Sequence, residues 1–237
     1  MALTPGRGTA ADEDWGEQLF EDGLEFADNP EPRCPCVLLL DTSSSMKGER
    51  ITALAEGLGR FRDEVGGDPL ARRRVEVAVL TFGGAVRVAQ DFVTVADFQP
   101  PALQAGGLTP MGTAVRQALD LLDFRKGQYK VGGVAYYRPW VFLITDGTPE
   151  GEPAEAIEEA ARRVQEEEAA RRVAFFAVGV EGANMSLLAA LSQRPPVKLR
   201  GLRFVDLFVW LSRSTQQVAH SRVGDQVALP PVDWGTV

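Results

Sequence analysis

The stretch that decides the fold reads Cys36-Val-Leu-Leu-Leu40-Asp41-Thr-Ser-Ser-Ser45-Met-Lys-Gly48. Its first five residues are apolar without a break, which suits a central strand of a parallel sheet, buried on both faces. At Asp41 the chain turns into a polar loop. Residues 49–65 then place Ile51, Leu54, Leu58 and Phe61 at helical spacing, and Gly66-Gly67-Asp68-Pro69 ends that helix. A buried strand, a polar loop and an amphipathic helix in succession are the building unit of an α/β domain.

The pattern continues outward from this unit. Residues 75–82 read as the next strand, Gly83-Gly84 as a turn, and residues 86–92 as an antiparallel hairpin partner at the sheet edge. Residues 104–109 form a Gly-rich loop, followed by a helix from Met111 to about Phe124 with Val115, Ala118, Leu119 and Leu122 inward. Residues 140–145 make another apolar strand, ending at Asp146-Gly147. Residues 153–172 read as a charged helix, with Glu166–Glu168, Arg162, Arg163, Arg171 and Arg172 on a solvated face. A strand over 173–180, a short helix over 186–192, a short strand over 197–199 and a closing helix over 204–218 complete the series. No periodicity is visible after His220. The alternation predicts an α/β, doubly wound (Rossmann-like) fold: a mostly parallel central sheet with one antiparallel edge strand and helices on both faces. The expected organisation is an acidic N-terminal arm over 1–33, a domain over 34–220 and a C-terminal tail over 221–237.

Hydrophobic residues make up 45% of the 237, enough to build one sizeable core. The charge is uneven. Residues 1–33 carry nine acids and two bases, a net of −7 out of the chain's −8. The domain itself is thus nearly neutral, which argues against general nucleic-acid binding. Within the arm, Trp15, Leu19, Phe20, Leu24 and Phe26 are too apolar for a wholly solvated segment, so either residues 24–27 dock on the domain edge or the arm holds a partner-binding segment. Cys34 and Cys36 are too close for an unstrained disulfide and too few for a metal site, and read as small buried hydrophobes at a strand start. No secretory leader and no membrane-spanning run is evident, which points to a cytoplasmic protein.

Three polar segments carry the chemistry: residues 41–45, 106–109 and 146–147. The first and third follow apolar strands, and open α/β sheets bind ligands at the carboxyl ends of strands, beside a switch in strand order. Asp41, Ser43, Ser45, Thr109 and Asp146 offer only oxygen. Such a donor set suits a hard cation, Mg²⁺ first, with Mn²⁺ or Ca²⁺ as alternatives. Because hydroxyls leave the cation short of negative charge, a carboxylate from outside would complete the shell. Each segment also has a plainer explanation: Ser45 or Thr109 as helix caps, with Pro110 at the first helical position, and Asp146-Gly147 as a turn.

Asp41-Thr42-Ser43-Ser44-Ser45 resembles the D-x-S-x-S core of the metal-ion-dependent adhesion site of von Willebrand factor A domains. Thr109 in Gly-Gly-Leu-Thr-Pro stands where that family's second-loop threonine stands, and Asp146-Gly147 resembles its third-loop aspartate. The likeness covers roughly residues 34–220. The wording of residues 29–33 onward and of 136–140 is similar to a bacterial subgroup related to the tellurite-resistance protein TerY. The resemblance implies direct metal ligation by Ser43, Ser45 and Thr109, with Asp41 and Asp146 acting through water. It also implies a protein partner that supplies a Glu or Asp. The expected role is an adaptor in a bacterial multi-protein stress-response or defence-type system, without catalysis. Ser44 departs from the usual glycine, and its side chain is expected to crowd the loop or alter access.

Enzyme chemistries fit poorly. A haloacid-dehalogenase-type phosphatase needs a second acid where Ser43 stands. A phospho-receiver domain needs a lysine where Glu181-Gly182 stands, and a dinucleotide site needs G-x-G-x-x-G where the chain has Thr-Ser-Ser-Ser. His220 lies outside the site loops, which removes a Ser–His–Asp triad. The alternative to a binding module is a scaffold of this fold without a functional metal. The nine acids of the arm suggest one more possibility, a carboxylate from residues 12–31 placed at the metal.

Overall fold

The computed structural model describes Phe26 and residues 28–236. The elements in order are β1 (Cys34–Asp41), a 3-10 turn (Ser44–Met46), α1 (Glu49–Gly66), α2 (Ala71–Arg74), β2 (Val75–Gly83), β3 (Ala85–Thr94), α3 (Met111–Val131) and β4 (Trp140–Thr145). They continue with α4 (Ala154–Ala169), β5 (Ala174–Gly179), α5 (Met185–Leu191), β6 (Val197–Leu199), α6 (Phe204–Ala219) and β7 (Gly235–Thr236). One seven-stranded sheet has the order β3-β2-β1-β4-β5-β6-β7. β1 pairs in parallel with both β2 and β4, so the chain leaves β1 to one side and later returns to the other. That reversal lies at the carboxyl end of β1.

Every residue of β1 is buried, as its apolar run requires. The period of two splits it between two cores. Cys34, Cys36, Leu38 and Leu40 join the cluster that includes Leu54, Leu58 and Phe61 of α1 and Leu207, Phe208 and Leu211 of α6. Val37 and Leu39 join Val115, Ala118 and Leu122 of α3 and Ala160 and Val164 of α4. A fully buried side chain of this size stabilises by about 1.5–3 kcal/mol, so β1 anchors both layers. Both cysteines are free and buried. Burial, aided by the Glu76 charge, pushes the Cys34 thiol up to about 12, which leaves it unreactive.

The structure differs from the sequence reading in four places. First, α3 runs to Val131, beyond the expected end at Phe124. Its extra turns carry buried polar residues, which a hydrophobic pattern does not register. Arg125 Nε donates to Glu76 at 2.9 Å, and the Tyr129 hydroxyl donates to the same carboxylate at 2.5 Å. Arg33 Nε donates to the other oxygen at 2.8 Å. Phe26 lies over this network, its ring centroid 4.9 Å from the Arg125 guanidinium carbon and 5.5 Å from that of Arg33. The expected docking of residues 24–27 is therefore seen at Phe26; Leu24, Glu25 and Ala27, with Trp15, Leu19 and Phe20, lie outside the described residues.

Second, Glu168 is not on a solvated face. It follows Ala156, Ala160 and Val164 at spacings of four on the buried stripe of α4. Its carboxylate accepts from the Phe175 and Gln193 amides and the Ser192 hydroxyl, and pairs with Arg194. Third, the sheet has two antiparallel edges, not one. β3 pairs with β2 as expected, and β7 pairs with β6 at the opposite edge. Fourth, residues beyond His220 join the body. Trp234 is buried against Trp210, with ring centroids 5.7 Å apart, and the Trp210 indole donates to the Pro230 carbonyl at 2.8 Å. A two-residue strand after a stretch without periodicity leaves no pattern to read. No helix among the described residues is long and apolar enough to cross a membrane.

Candidate metal centre

The first loop leaves β1 at Asp41 and runs through the 3-10 turn into α1. The Ser43 amide turns back to Asp41 Oδ1 at 2.8 Å, and Thr145 at the end of β4 donates its hydroxyl to Asp41 Oδ2 at 2.6 Å. The Ser43 and Ser45 hydroxyls lie 2.9 Å apart. Ser45 Oγ then donates to Asp146 Oδ1 at 2.6 Å, joining residues more than a hundred positions apart. The other Asp146 oxygen pairs with the Arg50 guanidinium, which also donates to the Ser45 carbonyl at 3.3 Å.

Thr109 approaches through Gly147. A Cβ at Gly147 would stand 3.4 Å from Thr109 Oγ1 and 3.6 Å from Asp41 Oδ2. All five sequence-predicted residues thus gather at the carboxyl ends of β1 and β4. The two capping explanations fail on geometry, while Asp146 and Gly147 do form a bend after β4. The N-cap of α1 is Gly48, not Ser45, and that of α3 is Pro110, not Thr109. The free amides of Gly112 and Thr113 are capped by Glu152, at 2.6 and 2.9 Å. Among the described residues nothing hydrogen-bonds to the Thr109 hydroxyl.

The backbone holds the three loops together. Gly106 N donates to the Thr42 carbonyl at 2.7 Å, and Ser44 N to the Gly107 carbonyl at 3.0 Å. On the other side Thr109 and Glu150 exchange both amide bonds, at 3.1 and 2.9 Å. Glycine permits the close approach. A Cβ at Gly83 would lie 2.3 Å from the Thr42 carbonyl oxygen, and Gly107 has φ +79° with Gly84 against it. Ser44 is exposed and only its amide is engaged with the neighbouring loop, so the crowding expected of it is not seen.

Asp41, Ser43, Thr109 and Asp146 are buried while Ser45 is exposed at the rim. Burial raises the Asp41 carboxyl; hydrogen bonds from Ser43 and Thr145 pull it down, and the Asp146 charge adds to the rise. Among the described residues no three His, Cys, Asp or Glu side chains gather as metal ligands. A cation held here must therefore use hydroxyls. The three hydroxyls and two carboxylates meet that requirement for a hard ion, and the uncommitted Thr109 oxygen is consistent with it. Glu150, Glu152, Thr145 and Arg50 were missed by sequence reasoning. Of these, Thr145 carried a signal: it precedes the loop aspartate at a strand end.

Known proteins share this architecture. Proximal thread matrix protein 1 from the mussel byssus, with a zinc-occupied MIDAS motif, superposes with a TM-score of 0.54 at 18% identity, over 79% of this chain and 49% of that one. The ArnB paralog VWA2 from Sulfolobus acidocaldarius gives 0.52 at 16% identity, over 77% and 45%. The manganese-loaded Plasmodium vivax TRAP protein gives 0.52 at 20% identity, over 75% and 73%. The chain thus spans about half the length of the first two. No curated protein sequence matches it. A model of the von Willebrand factor type A domain matches residues 36–204. With that match across most of its length, the chain belongs to the von Willebrand factor type A domain family.

Proposed function

We propose that this protein is a divalent-metal-dependent protein-binding module, not an enzyme. The observation that carries this reading is the continuous oxygen cluster from Asp41 through Ser43 and Ser45 to Asp146, with the free Thr109 hydroxyl beside it. Ser43, Ser45 and Thr109 would hold the ion directly. Asp41 and Asp146 would orient those hydroxyls and balance charge. The ion supplies an electrophilic position that accepts one further carboxylate, an Asp or Glu of a protein partner. Mg²⁺ is the favoured ion on hardness and availability; the zinc and manganese named for two structural relatives mark the range such sites accept.

The finer reading places the module in the cytoplasm as an adaptor of a bacterial multi-protein stress-response or defence-type system. It rests on the likeness of residues 29–45 and 136–140 to the TerY-related subgroup. Of the arm's acids, Glu31 is committed to Arg74 and is not the carboxylate offered to the site.

One observation favours a metal-free scaffold instead: the site's polar groups largely satisfy one another, and Arg50 already neutralises Asp146. Titration of the full chain with Mg²⁺ and Mn²⁺ separates the two. Binding to the wild type, lost in Ser43→Ala/Ser45→Ala with the fold retained, is expected. At a hundredfold excess over Kd the metal adds about 2.7 kcal/mol to wild-type stability and nothing to the double variant. Heat-silent titration and a melting curve indifferent to metal would leave only the scaffold.

A further inference from the structure

Among the described residues, the Arg50–Asp146 pair is the one cationic contact the cluster makes. Asp146 has no side-chain exposure, while Arg50 is 30% exposed, on the first turn of α1. The positive charge of Arg50 stands against a carboxylate that the metal reading assigns to the ion. Like charges at this range repel strongly where water is scarce. Arg50 nevertheless has room to leave: its partly exposed side chain ends a flexible stem, and its second contact, to the Ser45 carbonyl, is long.

We propose that Arg50 is a resident cation that competes with the metal for Asp146 and so sets the metal concentration at which the site fills. This rests on the metal-binding reading above. Arg50 would leave Asp146 toward solvent when a metal is held by the site. Metal-free protein keeps the Asp146 loop ordered through the arginine, and the loaded protein frees that side chain at the rim.

The test is calorimetric titration of the full chain with Mg²⁺ and Mn²⁺, comparing wild type, Arg50→Met and Arg50→Lys. Arg50→Met, which keeps a stem of similar bulk without charge, is expected to tighten metal binding at least tenfold. Arg50→Lys stays near wild type. A second readout needs no affinity: the Arg50 Nε–H resonance of the wild type shifts as Mg²⁺ is added. Equal or weaker binding by Arg50→Met, while the wild type binds, overturns the competition and leaves the metal centre standing. If wild type and both variants all fail to bind, the metal centre falls and this proposal with it.

Discussion

Each end of the sheet holds buried carboxylate, and the two ends treat it in opposite ways. At the amino ends of β1 and β2, Glu76 is 1% exposed and accepts from Arg33, Arg125 and Tyr129, with Phe26 as a lid. Two fixed cations more than balance one anion, and every partner is protein. At the carboxyl ends of β1 and β4, Asp146 pairs with one arginine while Asp41 meets none among the described residues, and the other hydrogen-bond partners of both carboxylates are hydroxyls and an amide. Hydroxyls can both accept and donate, and they carry no charge. The first arrangement is complete and serves the fold. The second is adjustable and leaves negative charge to be met, which is what a cation-binding site requires.

The difference is open to attack by mutation. The largest effect is expected at the lower end. Glu76→Ala strands Arg33 and Arg125 in the interior, and loss of one partner of a buried ion network typically costs about 3–5 kcal/mol. The urea midpoint should fall accordingly, with or without metal. A loss below about 1 kcal/mol would erase the contrast, because the lower network would then be as dispensable as the upper one.

A smaller effect sharpens the role of the loops. Glu152→Gln weakens the cap on α3 by about 1 kcal/mol, in the range of capping losses. Because the same segment pairs Glu150 with Thr109, metal affinity should drop severalfold while the fold persists. Unchanged affinity would mean that Thr109 needs no such support.

The smallest effect lies in pH. Burial raises the folded-state pKa of Asp41 above its unfolded value. The metal-free folded chain therefore binds more protons than the unfolded chain between those two values, and this group's contribution to stability falls as pH rises through that window. Metal binding runs the other way. The proton competes with the ion, so affinity should weaken as pH falls, beginning at a higher pH than an ordinary aspartate would impose. Titrations at several pH values in the wild type check the sign. An affinity that rises on acidification would remove Asp41 from the ion's surroundings.

Much of the site was legible because its residue types are informative and lie at element ends. The apolar run before Asp41 and the one before Asp146 placed both aspartates at strand termini, where the structure has them. Ser43, Ser45 and Thr109 were legible as oxygen donors in polar loops, and their assignment as ligands came from the resemblance to the D-x-S-x-S motif and its second-loop threonine. Arg50 was not legible, since an arginine in the first turn of a helix reads as solvated. Glu168 was misread because a run of three glutamates hides which one continues the stripe of Ala160 and Val164. Residues 125–131 and 234–236 were missed for a related reason: their burial depends on partners such as Glu76, Trp210 and Lys198, all distant in the chain.

The sequence alone determined the strand and helix alternation, the two faces of β1 and the oxygen character of the candidate ligands. These follow from local periodicity and side-chain chemistry. Only the tertiary structure decided which polar groups meet: that Glu76 is held by two arginines and Tyr129, that Asp146 is shared by Ser45 and Arg50, and that the Thr109 hydroxyl has no hydrogen-bond partner among the described residues. Charge pairing acts through space between residues far apart in the chain. It is settled by how loops and helix ends converge, and no local pattern encodes that.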